Sequence, residues 1–146
     1  MSARTWNEDL GATGYTVVAD PERQLLRMRI WGLWDDSLAQ RYERAVLTAL
    51  GMIPQNTTWD CIVDITNFPP QKPSVQAYHA NCMRQSTNIR RAANLVSSSL
   101  SQMQIRRLSE ESWLPAYSFF TSEAAALKWL ETTEADSSRD GARSAR

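Results

Sequence analysis

The sequence contains few of the residues from which metal centres and disulfide-bonded folds are built. Two cysteines, Cys61 and Cys82, and one histidine occur among 146 residues. Two cysteines are too few for a disulfide scaffold or for a cysteine-based zinc site. We therefore expect a reduced, cytoplasmic protein without a metal ion or another cofactor.

An excess of charge and a long apolar segment are also missing. The 16 basic residues are balanced by 16 acidic ones, so there is no positive field for sequence-independent binding of nucleic acid. No apolar run approaches the roughly 20 residues that span a bilayer. Residues 1–15 contain no apolar segment of the kind found in secretory signals. We therefore expect neither a nucleic-acid partner nor an integral membrane protein.

What is present is the composition of one small globular domain. Hydrophobic residues make up 42% of the chain, which is enough for a core at this length. Residues 1–13 and 134–146 contain few large apolar side chains, so ordering them would bury little. The sequence predicts disordered ends on either side of a single domain over residues 14–133.

Alternating apolar and polar residues predict an opening pair of strands. Apolar side chains in residues 24–31 alternate with Arg27, Arg29 and Trp31, which is a period of two. A tight turn joins this segment to residues 15–19, so we predict an antiparallel hairpin. Residues 15–19 are predicted to form a sheet edge, along which a second copy of the chain could pair.

After this hairpin the predicted helices and strands alternate. Helical spacing of apolar residues predicts four helices, which begin near Ser37, Ser74, Ser98 and Ser122. Apolar runs predict three further strands, at residues 58–64, 92–97 and 117–120. The order β-β-α-β-α-β-α-β-α predicts one small α/β domain, with helices packed on a mixed, mostly parallel sheet.

Three segments, taken in order, resemble the STAS domains, and more closely their SpoIIAA-like relatives. These are YTVVADPERQLLRMRIWGLWD, WDCIVDITNF and YSFFTSEAAALKWL, and the likeness covers about residues 14–131. The resemblance implies the fold of the anti-sigma-factor antagonists. It also implies a bacterial regulatory or protein-interaction module that is not an enzyme.

The resemblance further implies a phosphorylation position at Ser74. In the regulatory members, a strand ends in an acidic or amide residue, and a loop leads to a phosphorylatable serine at the start of the second helix. Here the strand ends near Asp64, and the proline-rich loop 67–73 leads to Ser74. Pro73 and Val75 stand where the usual motif has Asp and Gly, which counts against a kinase-controlled switch. Asp64 itself is predicted to cap the loop.

An interaction surface is predicted around the hairpin and this loop. Trp31 shares its strand face with Arg27 and Arg29, and the loop adds Phe68 and Lys72. An exposed tryptophan beside two arginines is typical of a surface that binds a partner. The expected partner is another protein or a second copy of this chain.

The sequence shows no set of residues that would form a catalytic site. His79, the single histidine, is the candidate that we considered for such a site. It lacks the nucleophile and orienting acid of a catalytic set, and only Cys82 is near enough in sequence to share a metal ion. We therefore predict a half-buried, hydrogen-bonded histidine and no enzyme. The alternative to a protein-interaction module is a module that binds a small apolar ligand or a lipid, as in SpoIIAA-like proteins that are grouped with lipid-carrier folds. Such a ligand would occupy a cavity between the sheet and the helices.

Overall fold

A computed structural model describes residues 2–97, 103 and 116–132. In this part of the chain six strands form one sheet, in the order β1-β2-β3-β4-β5-β6, and three helices are present. The strands are β1 (Arg4–Asp9), β2 (Gly14–Asp20), β3 (Leu25–Trp31), β4 (Trp59–Asp64), β5 (Ile89–Leu95) and β6 (Tyr117–Phe120). The helices are α1 (Asp36–Leu50), α2 (Pro73–Arg84) and α3 (Glu123–Leu130).

The sheet is mixed in the way that the sequence predicts. β2 pairs antiparallel with β1 and with β3. β3, β4, β5 and β6 run parallel to one another. The predicted α/β class and the predicted hairpin of β2 and β3 are confirmed.

The sequence analysis predicted disorder over residues 1–13. This prediction is wrong for Arg4–Asp9, which form the strand β1. β1 pairs with β2 along its whole length. Its anchor is Glu8, whose carboxylate accepts hydrogen bonds from Nε of Arg41 at 2.8 and 3.0 Å and from the Tyr15 hydroxyl at 3.0 Å. β1 therefore occupies the edge of the sheet. The predicted edge at residues 15–19 is wrong, and a second copy cannot pair there.

Most of the helix predicted over residues 100–114, and the predicted C-terminal tail over 134–146, lie outside the described residues. Helices α1 and α3 each begin with a side-chain cap. The Asp35 carboxylate accepts a hydrogen bond from the Leu38 N–H at 2.8 Å, and the Ser122 hydroxyl accepts one from the Ala125 N–H at 3.2 Å. Both are ordinary N-terminal caps.

α2 begins at Pro73, one residue before Ser74, so Ser74 does not serve as its N-cap. Lys72 is the N-cap and makes no side-chain capping bond, while Pro73 occupies the first helical turn. Proline suits this position because its fixed φ fits the helix and the N–H that it lacks would have no partner there. Ser74 therefore lies inside the helix, with its hydroxyl available for another contact.

The two faces of the sheet carry separate cores. α1 and α2 pack on one face, where the buried residues include Val17, Leu26, Ile30, Leu38, Tyr42, Val46 and Val75. α3 packs on the opposite face against residues that include Leu25, Ile62, Ala93 and Leu95. Burying each large apolar side chain contributes about 1.5–3 kcal/mol, so these two layers hold the strand ends in fixed positions.

Candidate functional site

The ends of β3 and β4 and the beginnings of α1 and α2 meet at one edge of the sheet, which we call the carboxyl edge. Its two loops are residues 32–35 and 65–72. The loops are joined directly, because the Gly32 N–H donates a hydrogen bond of 3.0 Å to the carbonyl oxygen of Asn67. Ligand and partner sites of open α/β sheets are found at this edge.

A buried side-chain amide, that of Gln71, holds the two loops together. Its Oε1 accepts a hydrogen bond from the Trp34 N–H at 2.9 Å. Its Nε2 donates to the carbonyl oxygens of Gly32 and Pro69, at 2.9 and 2.8 Å. Sequence reasoning did not single out Gln71, and a glutamine in a proline-rich loop gives no signal that it is buried.

Leu33 lies between the two backbone groups that Gln71 holds, yet its own side chain is 66% exposed. Trp34, the next residue, is buried in the core. The structure therefore holds an apolar side chain in the solvent on a loop whose backbone is fixed on both sides.

A second exposed leucine, Leu10, lies in the turn between β1 and β2 and is 57% exposed. This turn packs against the end of β3. A Cβ atom on Gly32, which has a φ of +83°, would collide with the carbonyl oxygen of Ala12. In addition, Nε1 of Trp31 donates a hydrogen bond of 3.1 Å to the Gly11 carbonyl oxygen. Leu10 and Leu33 therefore belong to the same end of the sheet.

Ser74 joins the beginnings of the two helices at this edge. Its exposed hydroxyl donates a hydrogen bond of 2.6 Å to Oδ1 of Asp36, in the first turn of α1. Nζ of Lys72 lies 3.8 Å from the same oxygen. Lys72 and Asp36 are each about half exposed (52% for both side chains), so this ion pair contributes little to stability.

Asp64 ends β4 and organises the turn that follows it. Its Oδ1 accepts hydrogen bonds from the Thr66 N–H at 3.0 Å and from the Thr66 hydroxyl at 2.6 Å. Oδ1 of Asp64 therefore accepts both of these bonds within its own turn.

The residues of the predicted interaction surface do not all come together. Arg27, Arg29 and Trp31 lie on the sheet face that carries α3, beside the helix, where Arg27 forms an ion pair with Glu123. Arg29 is exposed and lies over the Trp31 ring at 5.0 Å from its centroid. Lys72 lies at the carboxyl edge, as described above.

Phe68 does not belong to any exposed surface, so its predicted role there is wrong. It is 3% exposed, and its ring centroid lies 5.4 Å from that of Trp34 and 5.3 Å from that of His79. Phe68 precedes two prolines in the loop after β4. Its ring turns inward because burying an aromatic side chain in the core is more favourable than leaving it in water.

A cavity of about 70 Å³ lies between the sheet and helices α1 and α2. Its lining includes Leu26, Met28, Ile30, Tyr42, Val46, Leu50, Cys61, Val63, His79, Cys82, Met83, Ser86, Ile89, Ala92 and Asn94. The cavity is partly open, since Met83 and Ser86 at the end of α2 are only half-buried. The sequence analysis expected a cavity in this place only under its alternative function, a module that binds a small apolar ligand or a lipid.

His79 lines this cavity and differs from its prediction. It is buried rather than half-buried, and its Nε2 has no hydrogen-bond partner. Its ring lies among those of Trp34, Tyr42 and Phe68, with centroids 5.0, 5.2 and 5.3 Å away. Because burial disfavours the charged form, the pKa of His79 is lowered to about 4, and the ring is neutral at pH 7.

The other polar groups in the cavity are equally unreactive. Burial raises the pKa of the Cys61 and Cys82 thiols to about 12, so neither provides a thiolate nucleophile at neutral pH. The Tyr42 hydroxyl has one partner among the described residues, the Met28 sulfur at 3.6 Å. Burial raises the pKa of Tyr42 well above its ordinary value, so it too stays protonated.

These contacts do not form a catalytic relay. Ser74 donates to Asp36, Asp64 accepts from Thr66, and Nε2 of His79 has no partner, so the three candidates for a triad are bonded elsewhere or not at all. Within residues 2–97, 103 and 116–132, no three His, Cys, Asp or Glu side chains are grouped so that they could hold a metal ion. In the same part of the chain, no helix combines the length and the apolar character needed to cross a membrane.

Comparison with known proteins was informative at the level of the fold. No family model matches the sequence, and no curated protein matches it. A crystal structure of an uncharacterised protein of the DUF3478 family from Shewanella loihica, described as having a SpoIIAA-like fold, is similar with a TM-score of 0.60. The two sequences are 15% identical, and the match covers 88% of this chain and 94% of that one.

An anti-sigma factor antagonist from Mycobacterium paratuberculosis is similar with a TM-score of 0.54 at 11% identity. That match covers 90% of this chain and 96% of the other. At such low identities the likeness concerns the arrangement of strands and helices. The chain has the SpoIIAA-like fold, the fold of the STAS domains.

Proposed function

We propose that the chain is a non-catalytic, cytoplasmic module of a bacterial regulatory system, which binds another protein through the carboxyl edge. The likeness to an anti-sigma factor antagonist supports a regulatory role of this kind. The observation that carries the proposal is the exposure of Leu33 on a loop that is fixed on both sides by Gln71.

An exposed leucine on a rigid loop is suited to binding. Side chains and loops that are ordered on association lose conformational entropy, and a backbone that is already fixed avoids most of this loss. Leu33 needs no rearrangement to enter an apolar pocket of a partner. Leu10, at the same end of the sheet, extends the apolar surface.

One charged side chain on the sheet face that carries α3, that of Arg29, indicates the chemistry of the partner. Arg29 is exposed, and among the described residues it forms no ion pair, only the contact with the Trp31 ring. The Trp31 ring is held in place by its hydrogen bond to Gly11. A partner that offers an apolar pocket for Leu33 and a carboxylate for Arg29 would match both groups.

Ser74 is the proposed position of control. A phosphoryl group on its hydroxyl would replace a hydrogen bond to Asp36 with repulsion between two anions. Lys72 and the positive end of α2 would attract the same group. Phosphorylation would thus separate Asp36 from Ser74 and change the surface beside Leu33.

The test places a photo-crosslinking amino acid at position 33 of the full chain, in the source bacterium, with position 47 as the control. Leu47 is also an exposed leucine, at 37%, but it lies on the outer face of α1. The protein captured at position 33 is then purified and titrated against the chain and its Leu33→Ser and Leu47→Ser variants. We expect Leu33→Ser to weaken binding at least 10-fold, as for a central contact residue, and Leu47→Ser to leave it unchanged.

Equal capture at both positions would contradict the proposal, as would equal affinities of the two variants. Capture of this chain alone at position 33 would replace it with a homodimer formed through the same edge.

A further inference from the structure

A groove of about 310 Å³ runs beside α3, on the sheet face that this helix covers only in part. α3 packs mainly on β5 and β6, so side chains of β2, β3 and β4 line most of the groove. Clefts of about 300–1,000 Å³ are typical of sites for small molecules. The groove is therefore large enough for such a ligand, and it lies on the opposite face from the cavity beneath α1 and α2.

Two opposite charges lie side by side in this groove. Arg29 of β3 is paired with Asp64 of β4 in the register of the sheet, and both residues line the groove. Neighbouring strands are about 4.7–4.9 Å apart. In the part of the chain that the structure describes, no ion pair joins the two side chains, since each is held by another contact. The Arg29 guanidinium lies over the Trp31 ring, and Oδ1 of Asp64 accepts two bonds from Thr66.

Both side chains keep polar groups that can bind a ligand. The contact with Trp31 uses the face of the Arg29 guanidinium, whereas its N–H groups donate within its plane, in a fork that matches a carboxylate. Both bonds from Thr66 go to Oδ1 of Asp64, and Oδ2 accepts none from the described residues. The groove therefore offers a donor fork for a carboxylate beside an acceptor for an ammonium group.

An aliphatic surface adjoins these two charges. Val18 of β2 and Ile62 of β4 lie on either side of Arg27 in the next row of the sheet, and Leu95 of β5 is paired with Asp64. All of these residues line the groove. An aliphatic side chain of a ligand would be removed from water against this surface, which favours binding.

The balance of charge in the groove selects against simple ions. Arg27 forms an ion pair with Glu123, so Arg29 and Asp64 are the charged groups that a ligand would contact. An anion would be attracted by Arg29 and repelled by Asp64, and a cation would experience the reverse. A molecule that carries both charges on neighbouring atoms would be attracted by both groups.

We propose that this groove binds a free α-amino acid with an aliphatic side chain, such as leucine. The ligand's carboxylate accepts hydrogen bonds from Arg29, its ammonium group donates to Oδ2 of Asp64, and its side chain lies on Val18 and Ile62. One carbon atom separates the two charged groups of an α-amino acid, which suits charges on adjacent strands. The inference does not depend on the proposed function, although Arg29 belongs to both surfaces.

The test measures binding of L-leucine to the full chain by NMR of methyl groups. Val18, Ile62 and Leu95 line the groove, whereas Val46 and Val75 are buried in the core on the opposite face. We expect saturable shifts at the three groove residues and none at the two valines of the core.

Two further probes keep the side chain of leucine and one of its charges. These are 4-methylpentanoate, which lacks the ammonium group, and 3-methylbutylamine, which lacks the carboxylate. Each is expected to bind about 10- to 100-fold more weakly than L-leucine, the value of hydrogen bonds to a charged group.

Two variants assign the charges to their residues. Arg29→Gln removes the guanidinium, and Asp64→Asn keeps an oxygen for the bonds from Thr66. Each should weaken binding of L-leucine by about 10-fold or more. Arg29→Gln should bind 3-methylbutylamine at least as well as the unaltered chain, and Asp64→Asn should do so for 4-methylpentanoate, because each variant removes a like charge. A variant that folds poorly would not show this crossed pattern.

Arg44→Gln is the matched control, because Arg44 is exposed on α1 and does not line the groove, and it should leave all three affinities unchanged. Three results would overturn the proposal: shifts that never saturate, equal affinities for L-leucine and the two probes, or an affinity for L-leucine that neither Arg29→Gln nor Asp64→Asn changes. None of these measurements involves Leu33 or a protein partner, so failure here is distinguishable from failure of the proposed function.

Discussion

The side-chain oxygen of Gln71 accepts a hydrogen bond of 2.9 Å from the backbone N–H of Trp34, which is 37 residues away in the sequence. With the bonds from its amide nitrogen to Gly32 and Pro69, Gln71 joins the loop after β3 to the loop after β4. One buried amide thus fixes the position of Leu33 in the proposed surface. Its substitution should affect stability and the shape of that surface together.

We predict that Gln71→Leu lowers the free energy of unfolding by about 2–4 kcal/mol, because it leaves the Trp34 N–H and the Gly32 carbonyl oxygen without a partner in a buried place. Urea denaturation measures the change. Gln40→Leu, on the exposed side of α1, is the matched control and should change stability by less than about 0.5 kcal/mol. Equal effects of the two substitutions would mean that Gln71 does not fix the loop.

Arg90 holds three elements together, and lysine should not replace it. Its Nε and Nη2 donate to the two carboxylate oxygens of Asp60, at 2.9 and 2.8 Å, and Nη2 also donates to the Leu130 carbonyl oxygen at 2.7 Å. Lysine keeps the charge but cannot form this planar pair of bonds. We predict that Arg90→Lys costs about 1 kcal/mol and speeds hydrogen exchange at the end of α3.

The control for Arg90→Lys is Arg23→Lys, because the Arg23 side chain is 70% exposed and lies 3.9 Å from Asp20. It should have no measurable effect, as for most exposed ion pairs. Exchange in α3 that is equally fast in both variants and in the unaltered chain would show that the bond to Leu130 is unimportant.

The order of elements could be predicted from the sequence because it depends on local periodicity. The alternation around Met28 predicts β3, and the helical spacing from Leu38 to Leu50 predicts α1. β1 could not be predicted in this way. Trp6 is the one large apolar side chain of β1 that packs against the core. The strand is stabilised by pairing with β2 and by the bond between Glu8 and Arg41, which are 33 residues apart.

The candidate sites were predicted less well for the same reason. Ser74 was singled out through the resemblance to the STAS domains and Asp64 through its place at the end of a strand, but the partners of both are set by the fold. Phe68 was expected on the surface because it lies in the loop 67–73, and only the packed structure shows the space beside Trp34 and His79 that it fills. Residues whose role depends on distant neighbours are the ones that a single sequence cannot place.

The edge strand β1 should keep the chain from pairing with itself along β2. Deleting residues 1–10 would leave the backbone N–H and C=O groups of Gly14–Asp20 unpaired on one side, and such an edge readily pairs with another chain. We predict self-association that increases with concentration, measured by light scattering against the full chain. Deleting residues 1–3 keeps β1 and is the control. Identical scattering of both deletions and of the full chain would contradict the prediction.

The buried, neutral His79 should make the chain less stable as the pH falls below 6.5. In the unfolded chain the imidazole takes up a proton near pH 6.5, whereas in the folded chain burial lowers its pKa to about 4. Between these values the unfolded state binds more protons, so stability falls as the pH falls. The neighbours Trp34 and Phe68 do not titrate, and the pKa values of Tyr42 and Cys82 are too high to contribute.

The shift predicts a loss of about 2 kcal/mol between pH 7 and pH 5 that belongs to His79. Because this is the chain's single histidine, the measurement is direct: urea denaturation at pH 7, 6 and 5, with His79→Phe as the comparison. The variant should lack this part of the pH dependence and keep the part that carboxylates add near pH 5. If both proteins lost stability equally over this range, His79 would be reached by solvent in the folded state rather than buried.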